Sequence, residues 1–171
     1  MNYQFRKAVL SEIPHIWEIL EQAILRRKAD GSEQWQDGYP NKEVIHKDIE
    51  KNAGYVLTKD AAIVGYSAVL VNYEPAYEKI VGQWLTNDEF VAVHRLAISD
   101  KYLGKGCAKV ILEFIEKFAL DHKIYSIKAD TNFDNLPMLH IFTKMNYHFC
   151  GEVYFRGAAR KAFEKVLAKV N

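Results

Sequence analysis

The sequence has few residues that cross-link or interrupt a fold. It contains two cysteines, four prolines and nine glycines in 171 residues. Cys107 and Cys150 form neither a disulfide framework nor a metal-ligand cluster, which favours a reducing, cytoplasmic setting. Glycine and proline are scattered, and we find no linker, repeat or low-complexity tract. One domain over residues 1–171 is therefore the simplest organisation.

Neither sign of charge is in large excess, and no apolar run is long. Lysine and arginine total 23 and aspartate and glutamate 22, a formal net charge of +1 that argues against a dedicated nucleic-acid binder. The longest apolar-looking run, residues 61–71, is too short to span a bilayer. The N-terminal segment lacks the apolar core of a signal peptide. We therefore expect neither a nucleic-acid partner nor a membrane partner.

Hydrophobic periodicity predicts a chain in which helices and strands are mixed. Ser11 is placed to cap the first helix, whose pattern fades near Gly31. Further helices are predicted at 41–52, 106–122 and 135–146, and strands at 3–9, 55–59, 61–71, 90–98, 124–129 and 150–156. A strand-loop-helix-strand unit in the middle of the chain predicts a partly parallel sheet and a mixed α/β fold. Residues 160–169 have a helical composition, but either a helix or a strand can form there.

The most informative segment joins the strand that ends at Ile98 to the helix that begins near Gly106. It has small residues at Gly104, Gly106 and Ala108. Small residues let a ligand approach the backbone, and successive N–H groups can converge on an anion at the start of a helix. The pattern predicts a diphosphate cradle, although it is neither a P-loop nor the Gly-x-Gly-x-x-Gly fingerprint. A helix-entry turn without a ligand is the alternative.

The segment Tyr102–Ala108 resembles the acetyl-CoA signature of the GNAT superfamily of N-acetyltransferases, Arg/Gln-x-x-Gly-x-Gly/Ala. The preceding Leu96–Ile98 resembles the strand end Leu-x-Val, and Asn135–Tyr147 resembles the Asn-x-x-Ala…Tyr-x-Lys-x-Gly-Phe segment. The resemblance is to a bacterial subgroup of these enzymes, covers nearly the whole chain, and is strongest over residues 91–151. Two positions depart from the pattern. Leu103 replaces the signature Arg or Gln, and Phe142 replaces a Tyr that often protonates the departing thiolate.

The resemblance implies the GNAT fold, with a mixed, twisted central sheet of about six to seven strands, about four flanking helices, and a splay at the acetyl-CoA site. The family counterpart of 160–167 is a strand, so we expect a strand there. Acetyl-CoA is the implied co-substrate, and no metal is implied. The residues implied at the cofactor are Leu96, Ala97, Ile98, Leu103, Gly104, Lys105, Gly106, Cys107, Ala108, Lys109, Asn135, Phe142 and Lys144.

Acetyl transfer to an amine requires a polarised thioester carbonyl and a neutral amine. A backbone N–H near Leu96–Ile98 is expected to polarise the carbonyl. An alkyl ammonium has a pKa near ~10.4, so a base is needed at neutral pH. His94 is the candidate base, because strand alternation places it on the same face as Ile98 and arylalkylamine acetyltransferases carry a catalytic His at the corresponding place. A buried structural role for His94 is the alternative, and Glu78 and Glu89 are rival bases.

The remaining roles fall to aromatic residues. Since Phe142 cannot donate a proton, Tyr147, Tyr154 or water is expected to protonate the thiolate, which at a thiol pKa of roughly 8.5 needs little help. Trp35, Tyr39 and Trp84 are the candidate acceptor-binding residues, with packing as the alternative.

The predicted function is an N-acetyltransferase that moves an acetyl group directly from acetyl-CoA to a primary amine of a small molecule or peptide. A catalytically weak acyl-CoA-binding or sensing module is the alternative, suggested by Leu103 and Phe142. A loop for another phosphate ligand, such as a nucleotide, is a third interpretation. Homodimers are common in this family, and the sequence leaves the oligomeric state open.

Overall fold

A computed structural model describes residues 2–169, which form four α-helices and an eight-stranded mixed sheet. The strands are β1 (Tyr3–Lys7), β2 (Gly54–Lys59), β3 (Ala62–Val71), β4 (Val81–Gly82), β5 (Val91–Ile98), β6 (Ser126–Thr131), β7 (His148–Phe155) and β8 (Ala158–Val166). The helices are α1 (Ile13–Ala29), α2 (Lys42–Glu50), α3 (Cys107–Asp121) and α4 (Leu136–Lys144). Within residues 2–169, no helix has both the length and the apolarity needed to cross a membrane.

The strands follow the order β1-β2-β3-β5-β6-β8-β7-β4. β5 pairs with β6 in parallel, whereas β1–β2, β2–β3, β6–β8, β7–β8 and β4–β7 are antiparallel. The predicted mixed α/β class and the partly parallel sheet are confirmed. The predicted strand number was too low, because the chain after β3 forms the two-residue strand β4 against β7.

The structure decides two details of the predicted elements. The strand at the C-terminal segment is confirmed by β8, which pairs along its length with β6 and β7. Ser11, however, is not a helix cap. It lies in a 3-10 turn, Leu10–Glu12, and α1 starts at Ile13 with Pro14 in its first turn. Proline fits there because a first-turn N–H has no partner inside the helix.

The chain divides into two compact units. The first unit contains the residues up to Val69 together with Arg95–Leu112, and the second contains Leu70–His94 together with the residues from Glu113 onward. The division falls within β3, β5 and α3. A single domain over 1–171 stays a prediction, and its end residues 1, 170 and 171 lie outside the described residues.

The first unit is built on the apolar face of α1. Buried residues of α1 recur at the spacing of one helix face, and each of its Ile and Leu side chains contributes about 1.5–3 kcal/mol when fully buried. The cluster includes Ile16, Ile19, Leu20, Ala23, Ile45, Val56, Tyr66 and Ala97. This core supports α2, the hairpin of β2 and β3, and the end of β5.

The end of β5 is fixed by its close approach to β3 at Gly65. A Cβ atom on Gly65 would lie 2.9 Å from Cδ1 of Ile98 and 3.2 Å from the carbonyl oxygen of Ala97. The N–H of Ser99 donates to the carbonyl of Val64 at 2.9 Å. A side chain at 65 would therefore press on the Ile98 side chain and on the Ala97 carbonyl, so glycine there allows β3 and the end of β5 to approach this closely.

The second unit has a separate core around Tyr77, which is 2% exposed and packs with Ala92, Val153 and Ala162. A fully buried carboxylate on β8 organises the chain beside it. Glu164 accepts hydrogen bonds from the N–H of Leu85 at 2.6 Å and the hydroxyls of Thr86 and Ser126 at 2.6 and 2.7 Å. Burial lowers the pKa of nearby Lys128, and the charge of Glu164 opposes that shift. Glu164 thus anchors the segment that follows β4.

Candidate active site

The glycine-bearing loop of the first unit, residues 103–106, is exposed to solvent. Leu103, Gly104, Lys105 and Gly106 are exposed, whereas Cys107 at the start of α3 is buried. Gly104 and Gly106 have φ of +70° and +79°, and a Cβ atom on either would meet nothing within 4 Å. Glycine adopts this left-handed region without steric cost. The loop therefore needs glycine for its backbone conformation and leaves space for a ligand above it.

The amides of this loop are available to an acceptor. Within residues 2–169, no group accepts a hydrogen bond from the N–H of Gly104, Lys105 or Gly106. The first turn of α3 follows directly, and first-turn N–H groups have no intrahelical partner. Such amides and the positive end of a helix attract phosphate groups. The geometry fits the diphosphate cradle that the sequence predicts.

Helix α1 holds the start of this loop, a contact that the sequence analysis missed. Gln22 Oε1 accepts a hydrogen bond from the N–H of Asp100 at 2.9 Å. Arg26 pairs with the Asp100 carboxylate, and its Nη2 donates to the carbonyl of Ile98 at 3.1 Å. The only sequence signal is the i,i+4 spacing of Gln22 and Arg26, which places both on one face of the helix.

The strand before the loop departs from simple alternation. Arg95 has a φ of +53°, in the left-handed region. The register of β5 with β6 covers Val91–Val93, although β5 continues to Ile98. The alternation that was expected to place His94 and Ile98 on one face is therefore interrupted. Leu96 is half-buried, while Ala97 and Ile98 are buried, and their predicted roles toward the thioester stay predictions.

In the second unit, His94 lies beside two carboxylates. Its Nε2 is 2.8 Å from Oε2 of Glu74 and its Nδ1 is 3.8 Å from Oδ1 of Asp130. The His94 side chain is 10% exposed, and its ring packs against Tyr77 and Phe155 with centroids 5.7 and 6.1 Å apart. A proton acceptor next to two anionic groups can attract an alkyl ammonium and then take a proton from it.

Asp130 has two further neighbours. The hydroxyl of Tyr77 donates to its Oδ1 at 2.6 Å, and Nη1 of buried Arg160 lies 3.8 Å from its Oδ2. Burial first, and the charge of Asp130 second, raise the pKa of Tyr77, so its phenol stays protonated and donates. Sequence reasoning missed Glu74 and Asp130 as neighbours of His94. Asp130 directly follows the predicted strand 124–129, and a carboxylate at the end of a buried strand was the available signal.

The rival bases and the candidate acids differ in exposure. Glu78 and Glu89 are exposed. Tyr154 is 48% exposed and donates to Glu152 at 3.1 Å. Tyr147 is 5% exposed, its hydroxyl has no hydrogen-bond partner within residues 2–169, and burial, with the charge of Glu116 second, raises its pKa. The acid role of both tyrosines stays a prediction.

Three other predicted cofactor residues lie in or beside α4. Asn135 caps this helix, with its side-chain oxygen accepting from the N–H of Met138 at 3.4 Å. Phe142 is 1% exposed and packs against Tyr147 and Phe163. Lys144 is exposed, as is Lys109 on α3. Asn135 thus has a structural role as a helix cap, and contact of these residues with a cofactor stays a prediction.

The three predicted acceptor-binding aromatics all have packing roles. Trp35 is buried in the core of the first unit, and the half-buried Tyr39 accepts a hydrogen bond from Arg95. In the second unit, Nε1 of Trp84 donates to the carbonyl of Tyr77 at 2.8 Å. No cluster of three or more His, Cys, Asp or Glu side chains within residues 2–169 is arranged to hold a metal ion.

Comparison with known proteins identifies the family of this chain. The sequence model of the acetyltransferase (GNAT) family matches residues 16–147. This chain belongs to the GNAT acetyltransferase family. A GNAT-family acetyltransferase from Streptococcus agalactiae 2603 has a sequence 34% identical to this chain. Its crystal structure superposes on this structure with a TM-score of 0.90 and covers 98% of this chain and 96% of that chain. The family resemblance seen in the signature loop is thereby confirmed.

Two further proteins are less similar to this chain. Streptothricin acetyltransferase of Escherichia coli is 25% identical over 77 residues, which are 43% of this chain and 44% of that enzyme. This match therefore spans less than half of that enzyme. A Salmonella typhimurium structure that contains its cofactor acetyl-CoA has a TM-score of 0.70 over 100% of this chain and 97% of that chain. At 13% identity, it shows a shared fold alone.

Proposed function

We propose that this GNAT-family chain binds acetyl-CoA and transfers the acetyl group to a primary amine of a small molecule or peptide. The observation that carries the proposal is the exposed signature loop. Its two glycines have left-handed backbones, and the N–H groups of 104–106 donate to no group within residues 2–169. Family membership supplies the chemistry, and the loop supplies a place for the diphosphate.

The proposed cofactor contacts follow from the loop. The amides of 104–106 and the first turn of α3 would hold the diphosphate, since amides at a helix start favour anions. When bound, acetyl-CoA supplies an acyl group activated as a thioester. Backbone N–H groups near Leu96–Ile98 would stabilise negative charge on the carbonyl oxygen. Leu103 offers no charged side chain at the signature position, so backbone donors carry this binding.

His94 is the proposed base. It would take a proton from the acceptor ammonium, and Glu74 and Asp130 would attract that cation to the imidazole. Phe142 cannot return a proton to the departing thiolate. Tyr154, which is exposed, is the more accessible of the two tyrosine candidates, and a thiolate with a pKa near ~8.5 can also leave without an acid.

Calorimetric titration of the purified chain with acetyl-CoA, CoA and ATP tests binding. A thiol-release assay with alkylamines, polyamines, amino acids, aminoglycosides and peptides tests transfer. We expect affinity for CoA esters and not for ATP, and CoA release with at least one amine. Acetyl-CoA binding without turnover would favour a binding or sensing module, which Leu103 and Phe142 also suggest. No affinity for CoA or its esters would reject both functions.

The base is tested separately by His94→Gln. We expect a rate loss of about 10²–10⁴-fold near neutral pH, which shrinks as pH rises and the amine loses its proton unaided. An unchanged dependence of rate on pH would remove His94 from the mechanism.

A further inference from the structure

A buried polar network in the first unit joins β5 to the segment before α2. Nε and Nη2 of Arg95 donate to the two carboxylate oxygens of Asp48 at 2.8 and 2.6 Å, and Nη1 donates to the hydroxyl of Tyr39 at 2.5 Å. The hydroxyl of Tyr66 also donates to Asp48, at 2.6 Å. A two-pronged arginine–carboxylate pair is both strong and directional. Arg95 therefore has a single defined orientation.

Burying the two charges of this network costs free energy. The Arg95 and Asp48 side chains are 10% and 7% exposed, so both charges are largely removed from water. Burial alone would lower the pKa of Arg95, but Tyr39 and Asp48 together raise it, so the guanidinium stays charged. Arg95 also holds its left-handed φ of +53° inside a strand. An outlier of this kind is maintained only where surrounding contacts hold it, and such residues concentrate at functional sites.

The network fixes the position of Tyr39. This residue lies in the segment 31–40, which contains no helix and no strand. Trp35 anchors one part of the segment in the core, and Gln36 Nε2 donates to the carbonyl of Ile24 at 2.9 Å. The hydroxyl of Tyr39 accepts a hydrogen bond from Nη1 of Arg95 at 2.5 Å. Arg95 thus sets the half-buried ring that the sequence predicts to contact the acceptor.

We propose that Arg95 is a positioning residue that sets the segment 31–40 for acceptor binding through the hydroxyl of Tyr39. This inference rests on the proposed function and on the sequence prediction that Tyr39 contacts the acceptor amine. Loss of the Arg95–Tyr39 hydrogen bond weakens acceptor binding and leaves cofactor binding unchanged, because the cofactor loop has a separate anchor in Arg26 and Asp100.

Steady-state kinetics with the best amine from the panel test whether acceptor binding is weakened while cofactor binding is unchanged. Tyr39→Phe removes one hydroxyl and keeps the Arg95–Asp48 pair. We expect KM for the amine to rise about tenfold, the scale of one charge-assisted hydrogen bond, with kcat and KM for acetyl-CoA within about twofold of wild type. Arg95→Met should have a similar effect. In a Tyr39→Phe background it should add little, because the two residues act through one bond.

Arg26→Met is the matched control, since Arg26 also pairs with a carboxylate in the first unit but holds the cofactor loop. We expect the opposite split, with a raised KM for acetyl-CoA and an unchanged KM for the amine. If the Arg95, Tyr39 and Arg26 variants change both KM values alike, the effects reflect general loss of structure and the proposal is overturned. Additive effects of Arg95→Met and Tyr39→Phe would overturn it as well.

Hydrogen–deuterium exchange of the full chain, without cofactor or amine, tests the positioning independently of activity. We expect faster exchange in 31–40 for Tyr39→Phe and no change there for Arg26→Met. Tyr39→Phe keeps this test available even if Arg95→Met does not fold, because Asp48 retains its arginine. Unchanged exchange in 31–40 overturns the proposal. Faster exchange in a protein that acetylates no amine supports the positioning role and counts against the proposed function alone.

Discussion

Replacing Gly106 by alanine separates backbone strain from cofactor binding. Gly106 has a φ of +79°, and a Cβ atom there would meet nothing within 4 Å. Gly157, in the turn between β7 and β8, has a φ of +78° and equally open surroundings. Alanine therefore meets nearly the same backbone cost at both positions. Only Gly106 lies in the proposed cofactor loop, so Gly157→Ala is a matched control.

Backbone strain and the loss of cofactor binding have different expected magnitudes. A left-handed backbone costs alanine about 1–2 kcal/mol. For a chain of this length 1 kcal/mol lowers Tm by about 2–4 °C, so each variant should lose about 2–8 °C. At Gly106 the new methyl group also enters the space above the loop amides. Loss of one hydrogen bond to a charged phosphate costs about 1.5–3 kcal/mol, which weakens acetyl-CoA binding by about ten- to a hundredfold.

Thermal unfolding measures the first effect, and calorimetric titration with acetyl-CoA measures the second. Gly157→Ala should bind acetyl-CoA as wild type does, despite its lower Tm. Wild-type affinity in Gly106→Ala would refute the role of this loop as a diphosphate cradle. Equal losses of affinity in both variants would show that strain, rather than contact with the cofactor, is responsible.

Three further changes test other parts of the structure. Glu164→Gln should lower the free energy of unfolding by about 1–3 kcal/mol, because an amide replaces a buried carboxylate that accepts hydrogen bonds from Leu85, Thr86 and Ser126; a loss below about 0.5 kcal/mol in urea unfolding contradicts this. Tyr147→Phe should raise stability at pH 8 by about 1–3 kcal/mol, because it removes a buried hydroxyl that has no partner within residues 2–169. Above about pH 10, Tyr147 ionises in the unfolded chain but keeps its proton in the fold, where burial raises its pKa. Wild-type stability therefore falls as pH rises, and Tyr147→Phe should remove up to about 1.4 kcal/mol per pH unit of that fall; equal slopes in urea unfolding from pH 8 to 11 would disprove it. Gly65→Ala should lower kcat/KM by up to about tenfold, because its Cβ would lie 3.2 Å from the carbonyl oxygen of Ala97 and press on the end of β5, and an unchanged kcat/KM would exclude this effect.

Composition alone could not decide the last strand. Eight of the ten residues 160–169 are Arg, Lys, Ala, Glu or Leu, which favour helices. Yet β8 lies between β6 and β7 and pairs with both, and this pairing overrides local preference. The prediction of a strand there came from the family resemblance. The two-residue strand β4 has no local pattern, since it exists only because it pairs with β7.

Asp48 had a signal in the sequence that was not interpreted. It lies among Val44, Ile45 and Ile49 on the apolar side of a predicted helix, where a carboxylate needs a buried partner. The identity of that partner, Arg95, depends on how β5 passes α2 and on a left-handed backbone that strand periodicity does not predict. Glu74 and Asp130 around His94 are likewise distant in the chain, so no local pattern joins them.

Apart from β4 and β8, the sequence by itself determined the order of helices and strands and the glycine-bearing loop, because side-chain periodicity and backbone freedom are properties of neighbouring residues. It also determined the family, because the signature is a short contiguous segment. Only the tertiary structure decided which charges surround His94, what holds Arg95, and that the loop amides remain open. Those properties depend on burial and on contacts between residues that are far apart in the chain.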